Sequence, residues 1–181
     1  MKTAKKYKLT DETIQVDGHT LHRIEALTDF CNAHKGEKGG FVESEDNLSH
    51  DGNCWVYNDA KVFSNAMVYD DALVFGNARG WGNASIYGNA KVCGYARVYG
   101  DARVYGDAKV ESASDYIVFK NWWSSGRYFT WTRSNNMWKV GCFYGTGEEL
   151  IEKAYKDSEL SGREYEKAVK YVESILKDSN Q

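Results

Sequence analysis

The chain has 181 residues, with 23 Lys and Arg against 26 Asp and Glu, so its formal net charge is −3. This length suits a single core, and the lack of a positive excess argues against general nucleic-acid binding. The sequence has no run of about 18 apolar residues and no apolar stretch behind its N-terminal lysines, so it predicts neither a membrane span nor a secretory signal. We therefore expect a cytoplasmic protein with no membrane partner.

The first predicted unit, residues 1–53, is an N-terminal β cap. Alternating segments flank Asp17-Gly18, a dipeptide typical of a tight hairpin turn. The segment KGEKGGF at 35–41 predicts a flexible or tightly turning connection. Four apolar side chains are expected to pack on the unit that follows: Leu21, Ile24, Leu27 and Phe30.

Residues 54–115 repeat with a period of six, and this repeat gives the fold class. From Cys54 the hexads are CWVYND, AKVFSN, AMVYDD, ALVFGN, ARGWGN, ASIYGN, AKVCGY, ARVYGD, ARVYGD and AKVESA. The first slot is Ala in nine hexads, the third is Val or Ile in nine (Gly80 is the exception), and the sixth is Asn or Asp in eight. A branched residue followed four positions later by a small one indicates the inward-facing pair of a left-handed parallel β-helix, with three hexads per coil and corners at the Gly and Asn slots. The protein is predicted to be mainly β.

Residues eighteen apart should stack in columns on the outside of such coils. The aromatic columns are Tyr57–Phe75–Cys93, Phe63–Trp81–Tyr99 and Tyr69–Tyr87–Tyr105, and the second slot gives Lys61–Arg79–Arg97, Met67–Ser85–Arg103 and Leu73–Lys91–Lys109. Aromatic and basic columns side by side could bind a nucleotide, which makes Arg97 and Arg103 candidate ligand or interface residues. Alternatively, the aromatic residues cover the coil and join subunits. On that interpretation one exposed face, formed by Tyr57, Phe63, Tyr69, Phe75 and Trp81, would build a homo-oligomer, with a trimer favoured.

Residues 116–181 predict a C-terminal α+β unit. Residues 127–144 suggest a hairpin with Asn135-Asn136 at its turn, which would place Arg133 opposite Trp138. One side of the hairpin would then be buried: Phe129, Trp131, Trp138, Val140 and Cys142. Two helices follow, with capping boxes predicted at Thr146/Glu149 and Ser161/Glu164.

This unit contains the most suggestive chemistry. No acidic residue occurs between Tyr116 and Gly147, yet basic and aromatic residues alternate there. Such a mixture can hold a phosphate while stacking a base, or the aromatic residues can form the small core with the basic ones at its rim. The candidate ligand or interface residues are Trp122, Trp123, Arg127, Tyr128, Arg133 and Lys139.

The cysteines and histidines indicate no reactive site. Cys31, Cys54, Cys93 and Cys142 are scattered and are expected to be buried small residues rather than zinc ligands. No histidine occurs from Asp51 onward, and His50, just before the first hexad, is expected to be a surface or cap residue. The sequence predicts no catalytic residue, no metal site and no cofactor.

Several segments together resemble a group of phage and prophage hexapeptide-repeat proteins, loosely described as polymer-forming: GHTLHRIEALTDF, KGGFVESEDNLSHDGNCWV, the ARVYGD repeats and GCFYGTGEELIEKAYKDSELSGREYEKAV. The resemblance covers nearly the whole chain and implies a phage setting, with the host cytoplasm as the location. The repeats alone also resemble the hexapeptide acyltransferases and β-helical carbonic anhydrases. Those enzymes place histidines on the coils, and the coils here have none, so neither activity is expected.

The leading interpretation is a non-catalytic, phage-type binding protein that interferes with a host system, possibly a defence system, by capturing an anionic, nucleotide-like ligand. An alternative is a binder of a host protein, such as a defence or CRISPR effector. A third is a structural, polymer-forming protein. The caps expected at both ends of the repeat argue against it, because they would block stacking of one chain on another.

Overall fold

A computed structural model describes residues 5–178. Within this range seventeen strands precede two α-helices, α1 (Gly147–Asp157) and α2 (Glu159–Asp178). The strands are β1 (Tyr7–Val16), β2 (His19–Ala26), β3 (Lys38–Val42), β4 (Trp55–Val56), β5 (Lys61–Val62), β6 (Met67–Val68), β7 (Leu73–Val74), β8 (Arg79–Gly80), β9 (Ser85–Ile86), β10 (Lys91–Val92), β11 (Arg97–Val98), β12 (Arg103–Val104), β13 (Lys109–Val110), β14 (Tyr116–Lys120), β15 (Tyr128–Thr132), β16 (Met137–Val140) and β17 (Phe143–Gly145). The mainly β class predicted from the sequence is confirmed.

The hexads form a three-sided β-solenoid. One face contains β3, β5, β8 and β11, the second contains β4, β7, β10 and β13, and the third contains β6, β9 and β12. Lys61 pairs in parallel with Arg79, and Arg79 pairs with Arg97. Because these partners are eighteen residues apart, three hexads complete one coil, as the period predicts.

The interior of the solenoid is lined by the first and third slots. Ala72 and Val74 are fully buried, like their counterparts in the other hexads. A larger residue in the alanine slot would overpack this narrow space. At one corner Gly82 has φ +70° and a Cβ there would lie 3.0 Å from the Gly100 nitrogen, so both the backbone angle and the close stacking of coils require glycine.

The exception at Gly80 is offset by its neighbour. A Cβ at Gly80 would lie 3.4 Å from Cδ1 of Ile86, and Ile86 is the only isoleucine in the third slot. The longer Ile side chain therefore fills the space that a valine occupies in other hexads.

Parallel pairing begins before the first hexad. Phe41 and Val42 in β3 pair with Lys61 and Val62, and Leu48 makes a parallel bridge to Val68. Part of the segment predicted as a connection is therefore strand. Gly40 has no room for a side chain, because a Cβ there would lie 2.5 Å from the Ala60 carbonyl oxygen.

The N-terminal strands cover the first coil. The hairpin predicted at Asp17-Gly18 joins β1 to β2, and β2 pairs antiparallel with β3. Side chains also reach the coil, and the Tyr7 hydroxyl donates to the Leu48 carbonyl at 2.8 Å. The buried Lys6 ammonium donates to the carbonyl of Cys54 at 2.9 Å. These donors satisfy carbonyl groups that have no preceding coil.

The C-terminal unit is a four-stranded antiparallel sheet, in the order β14-β15-β16-β17, packed on α1 and α2. Trp131 lies opposite Trp138, so the predicted pairing of Arg133 with Trp138 is wrong by two residues. The turn is longer because Asn135 Oδ1 accepts from Thr132 Oγ1 at 2.6 Å and Asn136 Oδ1 accepts from Trp131 Nε1 at 2.9 Å.

The two-residue shift keeps each side chain on its predicted face, since side chains alternate along a strand. Phe129, Trp131 and Trp138 are buried, as predicted. The expectation of burial is wrong for Cys142, which lies beyond the end of β16 and is exposed. It is also wrong for Cys31, which is exposed in the N-terminal region.

One of the two predicted capping boxes is confirmed. Thr146 and Glu149 cap the start of α1 through reciprocal hydrogen bonds. The box at Ser161 is wrong, because α2 begins at Glu159 and Ser161 lies within it. Ser158 takes this place, and its Oγ accepts the Ser161 backbone N–H at 3.1 Å.

The C-terminal unit closes the last coil of its own chain. The Arg103 backbone N–H donates to Thr130 Oγ1 at 2.9 Å, and the Lys109 N–H donates to Ser134 Oγ at 2.7 Å. A further coil would otherwise accept these bonds. The cap thus blunts an edge that could pair with another chain. None of the helices within residues 5–178 has the length and apolarity needed to cross a membrane.

Candidate ligand-binding groove

A groove of about 230 Å³ lies between the third face of the solenoid and the start of β15. We call it the arginine groove, and it is lined by Asn83, Ser85, Asp101, Arg103, Arg127 and Tyr128. It forms where the C-terminal unit meets the coil, so its two walls come from segments far apart in sequence.

Each wall holds one arginine by backbone contacts. Arg103 occupies the outward slot of β12, where its N–H is fixed by Thr130. Arg127 follows a tight turn, closed by its carbonyl accepting the Asn121 N–H and by the Gly126 N–H donating to the Asn121 carbonyl, both at 2.8 Å. The guanidinium groups therefore extend from anchored backbone.

The electrostatics of the arginine groove favour an anion with hydrogen-bonding groups. Within residues 5–178, neither the Arg103 nor the Arg127 side chain forms an ion pair or a hydrogen bond. Their donors remain available for a carboxylate or phosphate, to which guanidinium binds in a two-pronged geometry. Asp101 is the one acidic lining residue, and its Oδ1 accepts from Asn83 Nδ2 at 3.2 Å.

A stacked column of tyrosines lies beside the groove. Tyr69, Tyr87 and Tyr105, the tyrosine column, have ring centroids 4.6 and 4.5 Å apart. Lys139 Nζ lies 4.7 Å from the Tyr105 ring centroid, and burial lowers the pKa of this ammonium. Tyr144 packs edge-on against Tyr105 at 4.7 Å, so the C-terminal unit covers the end of this column.

The structure brings together half of the eight residues singled out from the sequence. Arg103, Arg127 and Tyr128 line the arginine groove. Lys139 lies next to it, over the tyrosine column.

The other four lie elsewhere. Trp122 is 69% exposed, and Trp123 is half-buried in the small C-terminal core. Arg133 is held by Ser114, whose carbonyl accepts from its Nε at 3.2 Å. Arg97 projects from β11, on a different face of the solenoid.

Three polar groove residues were not anticipated. Asn83 and Asp101 occupy the sixth slot eighteen residues apart, and Ser85 stands where neighbouring hexads carry Lys or Arg. The two asparagine/aspartate positions looked like corner residues, so only the placement of β15 reveals them as part of a groove.

The expected exposed aromatic face is wrong. The five rings Tyr57, Phe63, Tyr69, Phe75 and Trp81 are buried or half-buried. They also follow strands on three different faces. The period of eighteen stacks only every third hexad, so successive hexads cannot share a face. The homotrimer stays a prediction, but these five rings do not form a surface for it.

A second cleft, of about 720 Å³, lies near the N-terminal end of the solenoid. His19 and Glu43 line it, with His19 Nδ1 2.9 Å from Glu43 Oε1. The other carboxylate oxygen accepts the Ser64 N–H at 2.7 Å. The hydrogen bond with His19 holds the pKa of Glu43 below its usual value. No local sequence pattern indicates this pair, because His19 and Glu43 are 24 residues apart and meet only when β2 lies beside β3.

Fold and groove together define a β-solenoid repeat protein with capped ends. Residues 96–111 match the sequence model of the family described as YdcK Beta solenoid repeat. A stretch of 62 residues is 36% identical to a protein of Escherichia coli (strain K12) named Uncharacterized acetyltransferase YdcK. This match covers 30% of the present chain and 19% of the relative, so it spans about a fifth of that protein.

Proposed function

We propose that this chain is a non-catalytic binding protein that captures a small, anionic, nucleotide-like ligand in the arginine groove. The observation that carries the proposal is that Arg103 and Arg127 line one groove beside Tyr128, with no ion-pair partner for either among residues 5–178. A guanidinium group binds a carboxylate or a phosphate through two parallel hydrogen bonds, so two unpaired arginines in one groove suit a phosphate.

The groove supplies both charge and orientation. Two guanidinium groups can hold one phosphate from opposite walls, one from the coil and one from β15. The Asn83 amide and the Ser85 hydroxyl add neutral hydrogen-bonding groups along the same surface. A ligand bound there would also bridge the solenoid and its C-terminal unit, and so stabilise the folded chain.

Calorimetry with a panel of mononucleotides and cyclic nucleotides tests the proposal. We expect Arg103→Ala and Arg127→Ala each to weaken binding at least tenfold, because each removes a charge-assisted contact. Arg97→Ala is the matched control, since it removes an equal charge from another face. If the wild type binds no member of the panel, or if Arg97→Ala weakens binding as much as the groove variants, the proposal is wrong.

The phage resemblance suggests the setting of this function. A phage protein that sequesters a nucleotide signal would blunt a host response, and defence signalling is the natural target. The alternative, binding to a host protein, rests on Trp122, which is 69% exposed beside Trp123. Large aromatic side chains of this kind anchor interfaces. Loss of a stoichiometric host partner on Trp122→Ala, with nucleotide binding unaffected, would favour that alternative.

A second candidate function is acyl transfer. It is supported by the name of the Escherichia coli relative and by the His19–Glu43 pair in the N-terminal cleft. A carboxylate that fixes one imidazole nitrogen leaves the other to act as a general base. His19 would take the proton from an acceptor hydroxyl, whose oxygen attacks the carbonyl of an acyl thioester. The C–S bond then breaks, and the proton passes to the leaving sulfur.

Thiol release from acetyl thioesters, measured with a panel of hydroxyl acceptors, tests this candidate. His19→Gln should abolish release, whereas His22→Gln, on the same strand, should not. Absence of acceptor-dependent release in the wild type would eliminate acyl transfer to these hydroxyls and leave the binding proposal standing.

A further inference from the structure

The aromatic columns of the solenoid end differently. Phe63, Trp81 and Tyr99 form a second column, with centroids 6.0 and 4.8 Å apart and ring planes within 13° of parallel. The tyrosine column ends against Tyr144, a ring of the same chain. Tyr99 instead is 50% exposed, and Trp81 is its only ring partner within residues 5–178. We call this second set the open column, because the outer face of its last ring is uncovered.

The uncovered ring lines a cleft of about 510 Å³. This Tyr99 cleft is lined on its other side by the C-terminal unit, and its walls include Tyr99, Gly100, Asp101, Tyr116, Val118 and Tyr128. Asp101 and Tyr128 also line the arginine groove. The two depressions therefore adjoin, one mainly apolar and aromatic and the other cationic.

We infer that Tyr99 is the stacking platform for the planar base of the ligand, while its phosphate is held by Arg103 and Arg127. This inference rests on the proposed function and narrows it to nucleotides with a base and a phosphate on one sugar. A base on Tyr99 continues a stack that already has parallel rings. Stacking of a base on an aromatic side chain is insensitive to sequence, because every base presents a π face.

Asp101 lines both the Tyr99 cleft and the arginine groove, so it lies between the proposed base site and the proposed phosphate site. One of its oxygens accepts from Asn83, and the other forms no hydrogen bond within residues 5–178. A carboxylate in this position accepts hydrogen bonds and repels a second anion. It therefore suits the hydroxyl groups of a ribose that joins the stacked base to the bound phosphate.

The experiment compares binding of adenosine monophosphate, ribose 5-phosphate and inorganic phosphate by calorimetry. In the wild type the nucleotide should bind at least tenfold more tightly than ribose 5-phosphate, since only the nucleotide stacks. Tyr99→Leu should remove this preference while leaving ribose 5-phosphate binding unchanged. Tyr95→Leu is the control, because Tyr95 is 81% exposed and has no ring partner among the described residues.

The outcomes separate the inference from the function on which it rests. Equal binding of the nucleotide and the sugar phosphate by the wild type overturns the stacking role but leaves the arginine groove intact. Retention of the preference in Tyr99→Leu, with the fold confirmed by circular dichroism, overturns it as well. If none of the three anions binds, the stacking inference falls; the proposed function falls with it if the wild type also binds no member of the mononucleotide and cyclic nucleotide panel.

Discussion

Gly80 offers a direct test of how the inside of the solenoid is packed. A Cβ added there would have its nearest atoms at 3.4 Å, in Ile86, and at 3.9 Å, in Val62. These are ordinary contact distances, and the backbone at Gly80 does not have a positive φ. Gly80→Ala should therefore fit without strain.

The expected gain can be worked out from two effects. Removing glycine from the unfolded chain is worth about 0.4–1 kcal/mol, and burying one methyl group adds about 0.8 kcal/mol. The free energy of unfolding should rise by about 1–2 kcal/mol, which corresponds to roughly 2–7 °C in Tm for a chain of this size.

Gly80→Val should instead lower the free energy of unfolding, because the valine methyl groups reach the Ile86 side chain. Overpacking of this kind costs about 1–3 kcal/mol. Ile86→Val removes the interfering atom, so the double variant should recover stability. Urea unfolding followed by circular dichroism measures the wild type, the two single variants at Gly80 and the double variant. A control is Gly100→Ala, which has open space but φ +64° and should lose about 1 kcal/mol. If Gly80→Ala is destabilised as much as Gly100→Ala, complementary packing at this position is refuted.

Three further predictions concern the caps and the N-terminal cleft. Thr130→Val should lower the free energy of unfolding by about 1 kcal/mol, because it leaves the part-buried Arg103 N–H of the last coil without its acceptor; calorimetric Tm measures the loss. Ser158→Ala should cost about 1 kcal/mol and Ser161→Ala much less, since only the first caps α2; equal losses in urea unfolding would contradict this. The pKa of Glu43 is lower in the folded chain than its unfolded value of about 4.3, so the contact with His19 stabilises the fold at pH values above that unfolded pKa. This stabilisation is lost as the pH falls through the folded pKa. Urea midpoints between pH 7 and pH 3 should therefore fall more for the wild type than for Glu43→Gln.

The solenoid could be predicted because each hexad slot meets the same environment in every coil. Alanine fills the first slot in nine of the ten hexads and Val or Ile the third slot in nine, so a single odd position such as Gly80 does not obscure the pattern. The columns follow from the same period of eighteen, and the ring distances at Tyr87 and Trp81 confirm two of the three aromatic columns.

The ends were harder to predict because nothing there repeats. In β3, Val42 keeps the valine slot, but Gly40 takes the alanine slot and Gly39 precedes it, because neighbouring atoms leave no room for a Cβ at either glycine. The hairpin register depended on the side-chain bonds of Asn135 and Asn136, which a turn rule does not include. The start of α2 depended on which of two serines was free to cap it.

The candidate site illustrates a different difficulty. Arg103 and Arg127 were singled out separately for charge and aromatic neighbours, but no local pattern places them in one groove. Their proximity depends on β15 docking over β12. The His19–Glu43 pair likewise depends on β2 lying beside β3.

The bonds from Thr130 and Ser134 to the last coil have a geometric consequence for how such a chain can change length. Each hexad advances the path by one side of the prism, so inserting a single hexad would turn the C-terminal unit by a third of a revolution relative to the N-terminal strands. The C-terminal unit would still cap the last coil, but the arginine groove, the open column and the His19–Glu43 cleft would no longer keep their relative orientation. Only insertions of eighteen residues, one full coil, preserve these orientations. A longer chain that keeps them must therefore gain whole coils.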